Sequence, residues 1–206
     1  MLIFRPARAA DVDAAVGLIH ASGPADFDYV LPDAQGFLRY AFVQGTGRLG
    51  FRRHSVGERD GRVVAVGVGW SGRENGAIAL AAGWQFVRFY GPVAAIGVIW
   101  RGLRAERVMR PPGRDAFYIG HLAVAEDARG QGIGAELVAH MLRRAGACRA
   151  VLDVATGNAR AAALYARCGF AVTATRRGGA RNGRGQISDH YRMERGQTGP
   201  AQYSAV

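Results

Sequence analysis

The run Arg129-Gly130-Gln131-Gly132-Ile133-Gly134 carries the plainest chemistry in the chain. Three glycines within five residues leave consecutive N–H groups unshielded by side chains, and such a backbone can cup an anion. A strand-like stretch, Ala116–Val124, leads into an acidic turn at Glu126-Asp127, then the glycine run, then an amphipathic helix. A helix start adds unpaired N–H groups and the positive end of its dipole, which suits a phosphate or pyrophosphate. A P-loop is excluded: Ala135-Glu136 follow where Lys-Ser or Lys-Thr would be needed, and the chain contains no lysine. The run also fits G-x-G-x-x-G loosely. Asp153 lies about twenty residues on, where a dinucleotide-binding unit keeps its ribose acid, so that reading stays open at this point.

A second arrangement of the same residues fits more closely. Leu122-Ala123-Val124, a short turn and then Arg129 to Gly134 resemble the central motif of the GNAT family of N-acetyltransferases: L-x-V, then R-G-x-G-x-G/A opening a helix. Glu126 departs from the proline most often found there. Asn158, Ala161, Leu164, Tyr165, Gly169 and Phe170 resemble the family's second signature, N-x-x-A-x-x-L-Y-x-x-x-G-F, without a gap. The opening F-R-P-A-R-A-A-D also looks like the start of many such chains, and the resemblance spans about Leu2–Glu194.

This resemblance implies an acyltransferase that moves an acetyl group from acetyl-CoA, its co-substrate, to a primary amine by direct attack. The strand end Leu122, Ala123 and Val124 would bond the pantetheine arm, with the Val124 N–H polarising the carbonyl. Arg129, Gly130 and the amides of Gln131, Gly132, Ile133, Gly134 and Ala135 would hold the pyrophosphate. Asn158 would orient the cofactor arm, and Tyr165 would protonate the leaving sulfur. An attacking amine must shed a proton, and His121, on the central strand, is the candidate base. His190 and Glu74 are further candidates. Asp26, Asp28 and Tyr29 lie in a region that contributes to the family's acceptor pocket. No metal is expected. An alternative of another class is a basic module that senses acyl-CoA or binds RNA without catalysis, but RNA-binding signatures are missing.

The elements that must position these residues read as α/β (α+β): a mixed, mostly antiparallel central sheet flanked by helices, as the resemblance implies. Leu2–Arg5, Phe51–Glu58, Arg62–Trp70, Ala116–Val124, Arg149–Ala155, Phe170–Thr175 and Gln186–Glu194 read as strands, with a hairpin turn at Asp60-Gly61. Helices are expected after Asp11, over Gln35–Val43, after the glycine run and after Asn158. One domain over 1–195 is expected, with a helical insertion at 71–113 between the third and fourth strands and a flexible tail over 196–206. Within the insertion, Ala77–Trp100 holds a single charge, Arg88. Gly91-Pro92 breaks it, so two packed helices are favoured over a membrane span. Arg101, Arg104, Arg107 and Arg110 recur every three residues, as a solvated face or a landing strip for an anionic partner.

Composition bounds the rest. Of 206 residues 49% are hydrophobic and 21% charged, a globular balance. All 27 basic residues are arginine and the net charge is +11. Part of that charge can serve the phosphates of coenzyme A, and most of it reads as compositional bias. Nucleic acid is not an expected partner, and a homodimer is compatible with the sequence. Cys148 and Cys168 show neither metal-ligand nor disulfide spacing. Arg5, Arg8 and Asp11 interrupt any signal-peptide pattern, which points to a cytoplasmic location.

Overall fold

The computed structural model describes residues 1–196. The expected tail therefore lies, apart from Gly196, outside the described residues. In chain order the elements are β1 (Leu2–Pro6), α1 (Val12–Ala21), α2 (Pro24–Val30), α3 (Ala34–Gln44), β2 (His54–Arg59) and β3 (Arg62–Ser71). Then come α4 (Asn75–Tyr90), α5 (Pro92–Glu106), β4 (Ala116–Val124), α6 (Ile133–Ala145), β5 (Arg149–Ala155), α7 (Ala159–Arg167), β6 (Ala171–Arg176) and β7 (His190–Arg195). The sheet order is β1-β2-β3-β4-β5-β7-β6, and each neighbouring pair is antiparallel except β4–β5. An antiparallel sheet with its glycine run after the fourth strand is not a dinucleotide-binding βαβ unit, so that reading is set aside.

The helices cover both faces because their apolar stripes demand it. On α6, Ile133, Leu137, Val138, Met141 and Ala145 are buried against one face. On the other, Val16 and Ile19 of α1 and Leu38 and Phe42 of α3 close over Val56 and Val66. The β2–β3 turn has Asp60 and Gly61 both at positive φ, as a two-residue hairpin turn requires.

Three sequence readings shift. β2 starts at His54, because Phe51–Arg53 forms a short 3-10 turn and Phe51 packs beside Phe42. α5 ends at Glu106, where the N–H groups of Val108 and Met109 fold back on Ala105 and Pro111-Pro112 bar continuation. Arg107 and Arg110 therefore lie beyond the helix, and the expected four-arginine face is only half formed. The last strand starts at His190, not Gln186, because the stretch before it is held by other contacts. Arg181 and Gln186 form an isolated bridge, and the Asn182 amide donates to Tyr29 O at 3.0 Å.

One irregularity positions the site. Val66 pairs with Ala123 and Val68 with Gly120, so Gly67 faces both His121 and Leu122: a β-bulge on β4. A Cβ on Gly67 would stand 2.9 Å from Leu122 Cδ2, so only glycine admits this bulge comfortably. His121 takes φ 48, rare for a residue with a side chain. The extra residue reverses the strand's alternation. Ile119 packs on the α6 face and Ala123 on the α1 face, although a regular strand would put both on one side.

Candidate active site

β4 and β5 pair only at Ala116–Arg149, Phe117–Ala150 and Tyr118–Val151, then part. Beyond Tyr118 the β4 edge facing β5 has no strand partner. Ala125 N–H donates to Val64 O on β3, so by strand alternation the Val124 N–H points toward the opening. An unpaired strand edge is a template for an extended amide chain. The pantetheine arm, with its two amides, has that character.

The glycine run lies at the outer end of this opening. The backbone N–H groups of Gly130, Gln131, Gly132, Ile133 and Gly134 have no hydrogen-bond partner among the described residues. Ala135 is different: its N–H donates to Gly132 O at 2.9 Å, so the expected cradle is one amide shorter. Gly130 and Gly132 have φ 79 and 83, and a Cβ on either would meet nothing within 4 Å. The backbone is thus turned outward into open space at a 13-residue helix start. These residues fit a pyrophosphate. Ile133 is buried and anchors the helix, so it acts through its backbone alone. Arg129 reaches back to Val124 O at 3.2 Å, and the Gln131 side chain donates to Asp127 O and accepts from Arg59.

A cavity of about 610 Å³ runs inward from the opening between β4 and β5. His121, Leu122, Asn158 and Tyr165 all line it, so the β4 end and the segment from Asn158 to Tyr165 meet there, four of the five groups expected to do chemistry. The glycine run does not line it. Asn158 caps α7, its Oδ1 accepting from Ala161 N–H at 3.1 Å, which leaves its amide N–H groups for a ligand. Tyr165 is nearly buried, and burial, with Cys168 nearby, pushes its hydroxyl up to about 12.

The bulge turns His121 toward α1 and α2, into contact with Phe27 and His54. His54 is buried, and its Nδ1 lies 3.0 Å from Gly50 O. A carbonyl only accepts, so that nitrogen carries the proton and His54 Nε2 is left as an acceptor. His121 Nδ1 stands 3.5 Å from it. The chain of bonds therefore makes His121 Nδ1 the protonated nitrogen and frees Nε2 as a proton acceptor. Burial, then the neighbouring His54 and Arg48, hold His121 well below its ordinary value, so it is neutral at pH 7.

The far wall is legible in the sequence only in part. Tyr118 O–H donates to Asp153 Oδ2 at 3.1 Å, and Arg192 donates to the same oxygen at 2.7 Å. The Asp153 side chain is 1% exposed, its Oδ1 has no hydrogen-bond partner, and burial raises its pKa above the ordinary carboxyl value. Arg192 stacks on Tyr118, Tyr118 on Trp70, and Arg48 on Trp70. Asp153 is thus a buried partner of Arg192 and Tyr118 on the cavity wall. Asp26 accepts from Ser188 N–H at 3.0 Å and lies 3.6 Å from His190 Nε2, with both side chains on the cavity wall. Asp28 instead bonds His20, and Tyr29 packs in a separate cluster. Glu74 forms a capping box with Ser71 and an ion pair with Arg53, and does not line the cavity. No local pattern announces this wall, because its members come from α2, β3, β4, β5 and β7.

Residues 26–170 match the acetyltransferase (GNAT) family. The match covers more than half of the chain, so the protein belongs to that family, whose members are N-acetyltransferases using acetyl-CoA. This sets aside the non-catalytic alternative. No curated protein matches the chain. Among solved structures, a crystal structure of an acetyltransferase superposes with TM-score 0.68 at 20% identity, over 95% of this chain and 99% of that one. An N-acetyltransferase from Staphylococcus aureus Mu50 gives 0.64 at 17%, over 93% and 99%. The yncA protein of Salmonella typhimurium, solved with its cofactor acetyl-CoA, gives 0.53 at 17%, over 100% and 99%. At these identities the likeness concerns the fold. Among the described residues there is no cluster of metal-ligating side chains, and no helix is long and apolar enough to cross a membrane.

Proposed function

We propose that this protein transfers the acetyl group of acetyl-CoA to a primary amine by direct attack, without an acetylated enzyme. The observation that carries this reading is one cavity joining the unpaired β4 edge, the bulge residue His121 and Tyr165. The fold's likeness to yncA, solved with acetyl-CoA, supports acetyl-CoA as the co-substrate. Bound there, acetyl-CoA supplies an activated thioester. Gln131 to Gly134 hold its pyrophosphate, the β4 edge aligns its arm, and Val124 N–H donates to the acetyl oxygen, where charge builds during attack.

His121 is too weak a base to strip an ammonium ion. It suits a later moment: once the C–N bond begins to form, the nitrogen's remaining protons turn acidic, and His121 Nε2 accepts one. Tyr165 near 12 stands above a free thiol at about 8.5, so complete proton transfer to a thiolate is uphill. A hydrogen bond that strengthens as charge gathers on sulfur is not.

The test is a screen of primary amines with acetyl-CoA, following coenzyme A as free thiol. Thiol should appear only with an amine present. Tyr165→Phe keeps the ring and its packing, so it should leave stability and acetyl-CoA affinity unchanged while kcat falls roughly 10²-fold. Binding of acetyl-CoA with no turnover on any amine would sink the acceptor assignment. A Tyr165→Phe enzyme running at the parent rate would hand the sulfur's proton to solvent.

A further inference from the structure

The α4–α5 hairpin turns an unusual surface outward. Eight of the twelve exposed large apolar side chains among the described residues lie on these two helices. Leu80 and Trp84 recur at helical spacing on α4, as do Val93, Ile96, Trp100 and Leu103 on α5, opposite the buried positions Ile78 and Gln85, Ala95 and Val98. Trp84 is 66% and Trp100 62% exposed, whereas Trp70 is buried. An apolar surface of this extent marks an interaction site.

The charges say what covers it. Arg88 stands near the turn between the antiparallel helices, and Arg73, Arg104 and Arg107 at the opposite end, all exposed. Between Asn75 and Arg110 the single acid is Glu106, and Arg48 already holds it at 2.7 Å. A two-fold contact with a second copy would therefore set arginine against arginine with no carboxylate to answer it. An anionic bilayer answers both features: apolar side chains enter the acyl boundary, arginines meet headgroups, and tryptophan favours the interface between them.

We infer that the α4–α5 hairpin docks the enzyme flat on an anionic lipid surface, without spanning it. Ile99 and Leu103 also line the cavity, so the docked face adjoins the catalytic centre. The inference stands on the hairpin alone and does not depend on the identity of the acceptor.

The full chain is mixed with vesicles of phosphatidylglycerol and phosphatidylcholine in about equal parts, and with phosphatidylcholine vesicles alone. It should float with the former and not the latter, and its tryptophan emission should shift to the blue, reporting Trp84 and Trp100. Replacing both Arg88 and Arg104 by glutamine should cut partitioning more than tenfold, at roughly fivefold for each charge near an anionic surface. Trp84→Ser with Trp100→Ser should abolish flotation and the blue shift. Every variant should keep the melting shift given by acetyl-CoA, which shows that the fold and cofactor site are intact. Failure to float on anionic vesicles overturns the inference, as does undiminished flotation of the tryptophan variant. A dimer that the tryptophan variant splits, with no vesicle binding, would assign the face to self-association instead.

Discussion

The proposed cofactor side and the proposed acceptor side of the site are built on opposite plans. On the cofactor side the recognising groups are backbone N–H groups from one contiguous stretch, the β4 end and the glycine run, turned into open space. On the proposed acceptor side they are side chains from five separate elements, several already bonded: Asp153 to the Tyr118 and Arg192 side chains, Asp26 to the Ser188 backbone N–H. A fixed backbone cradle suits a partner common to every turnover. A wall of side chains can be rewritten for a different acceptor without disturbing that cradle. The two sides should therefore fail in different ways.

The largest effect is expected at Asp153. Asp153→Asn leaves the nearly buried Arg192 without its counter-charge, which should cost about 3 kcal/mol in a denaturant titration, the lower end for a broken buried pair because Glu194 stands 4.0 Å away. The rise in melting temperature on adding acetyl-CoA should survive. If that rise vanishes too, the two sides are one unit and the comparison breaks.

A similar sum hangs on pH. Burial pushes His54 down to about 4, against about 6.5 when unfolded. The unfolded chain therefore takes up the proton first as pH falls. Stability is complete above about 6.5 and drains away toward about 4, by up to about 3 kcal/mol. His121, also depressed, acts in the same direction. Melting curves from pH 7.5 to 4.5 should show the loss, and His54→Gln should flatten it. A flat parent curve would mean that His54 is not neutral in its buried place.

Gly132→Asp attacks the other side. It forces a side chain onto φ 83 and sets a carboxylate where the pyrophosphate belongs. The stabilisation by acetyl-CoA, about 2.7 kcal/mol at a hundredfold excess over its dissociation constant, should disappear. Affinity for the acceptor amine should not change. An intact melting shift would move the cofactor elsewhere.

The smallest effect sharpens the boundary between the two sides. His121→Gln should lower kcat by roughly tenfold, less than the 10² of a base tuned to the working pH, because its depressed value makes it a weak one. Any acidic limb that His121 contributes should lie well below pH 6.5. A limb near neutrality that survives in the variant belongs to the acceptor amine.

Legibility in the sequence follows the same division. The strand Ala116–Val124, the run Arg129–Gly134 and the segment Asn158–Phe170 could be read directly, because each works through local geometry: a turn, a helix start, a cap. The seven strands and the two helices of the insertion followed from periodicity and breakers, with errors where a 3-10 turn delayed the start of β2 and a proline pair ended α5 early. Asp26 and His190 can be named from the sequence but not seen as neighbours, and Arg48, Trp70, Tyr118 and Arg192 carry no signal there that marks them as wall residues. Nothing local marks them, since their partners stand at long range in the chain.

By itself, then, the sequence determined which backbone would be bare and where, because glycine spacing and a helix start act within a few residues. Tertiary structure alone decided which face His121 occupies. In a regular strand its side chain would share a face with Ile119, under α6. One extra residue opposite Gly67 turns it over to His54 and the cavity, and that register is fixed by packing between strands β3 and β4, far apart in the chain.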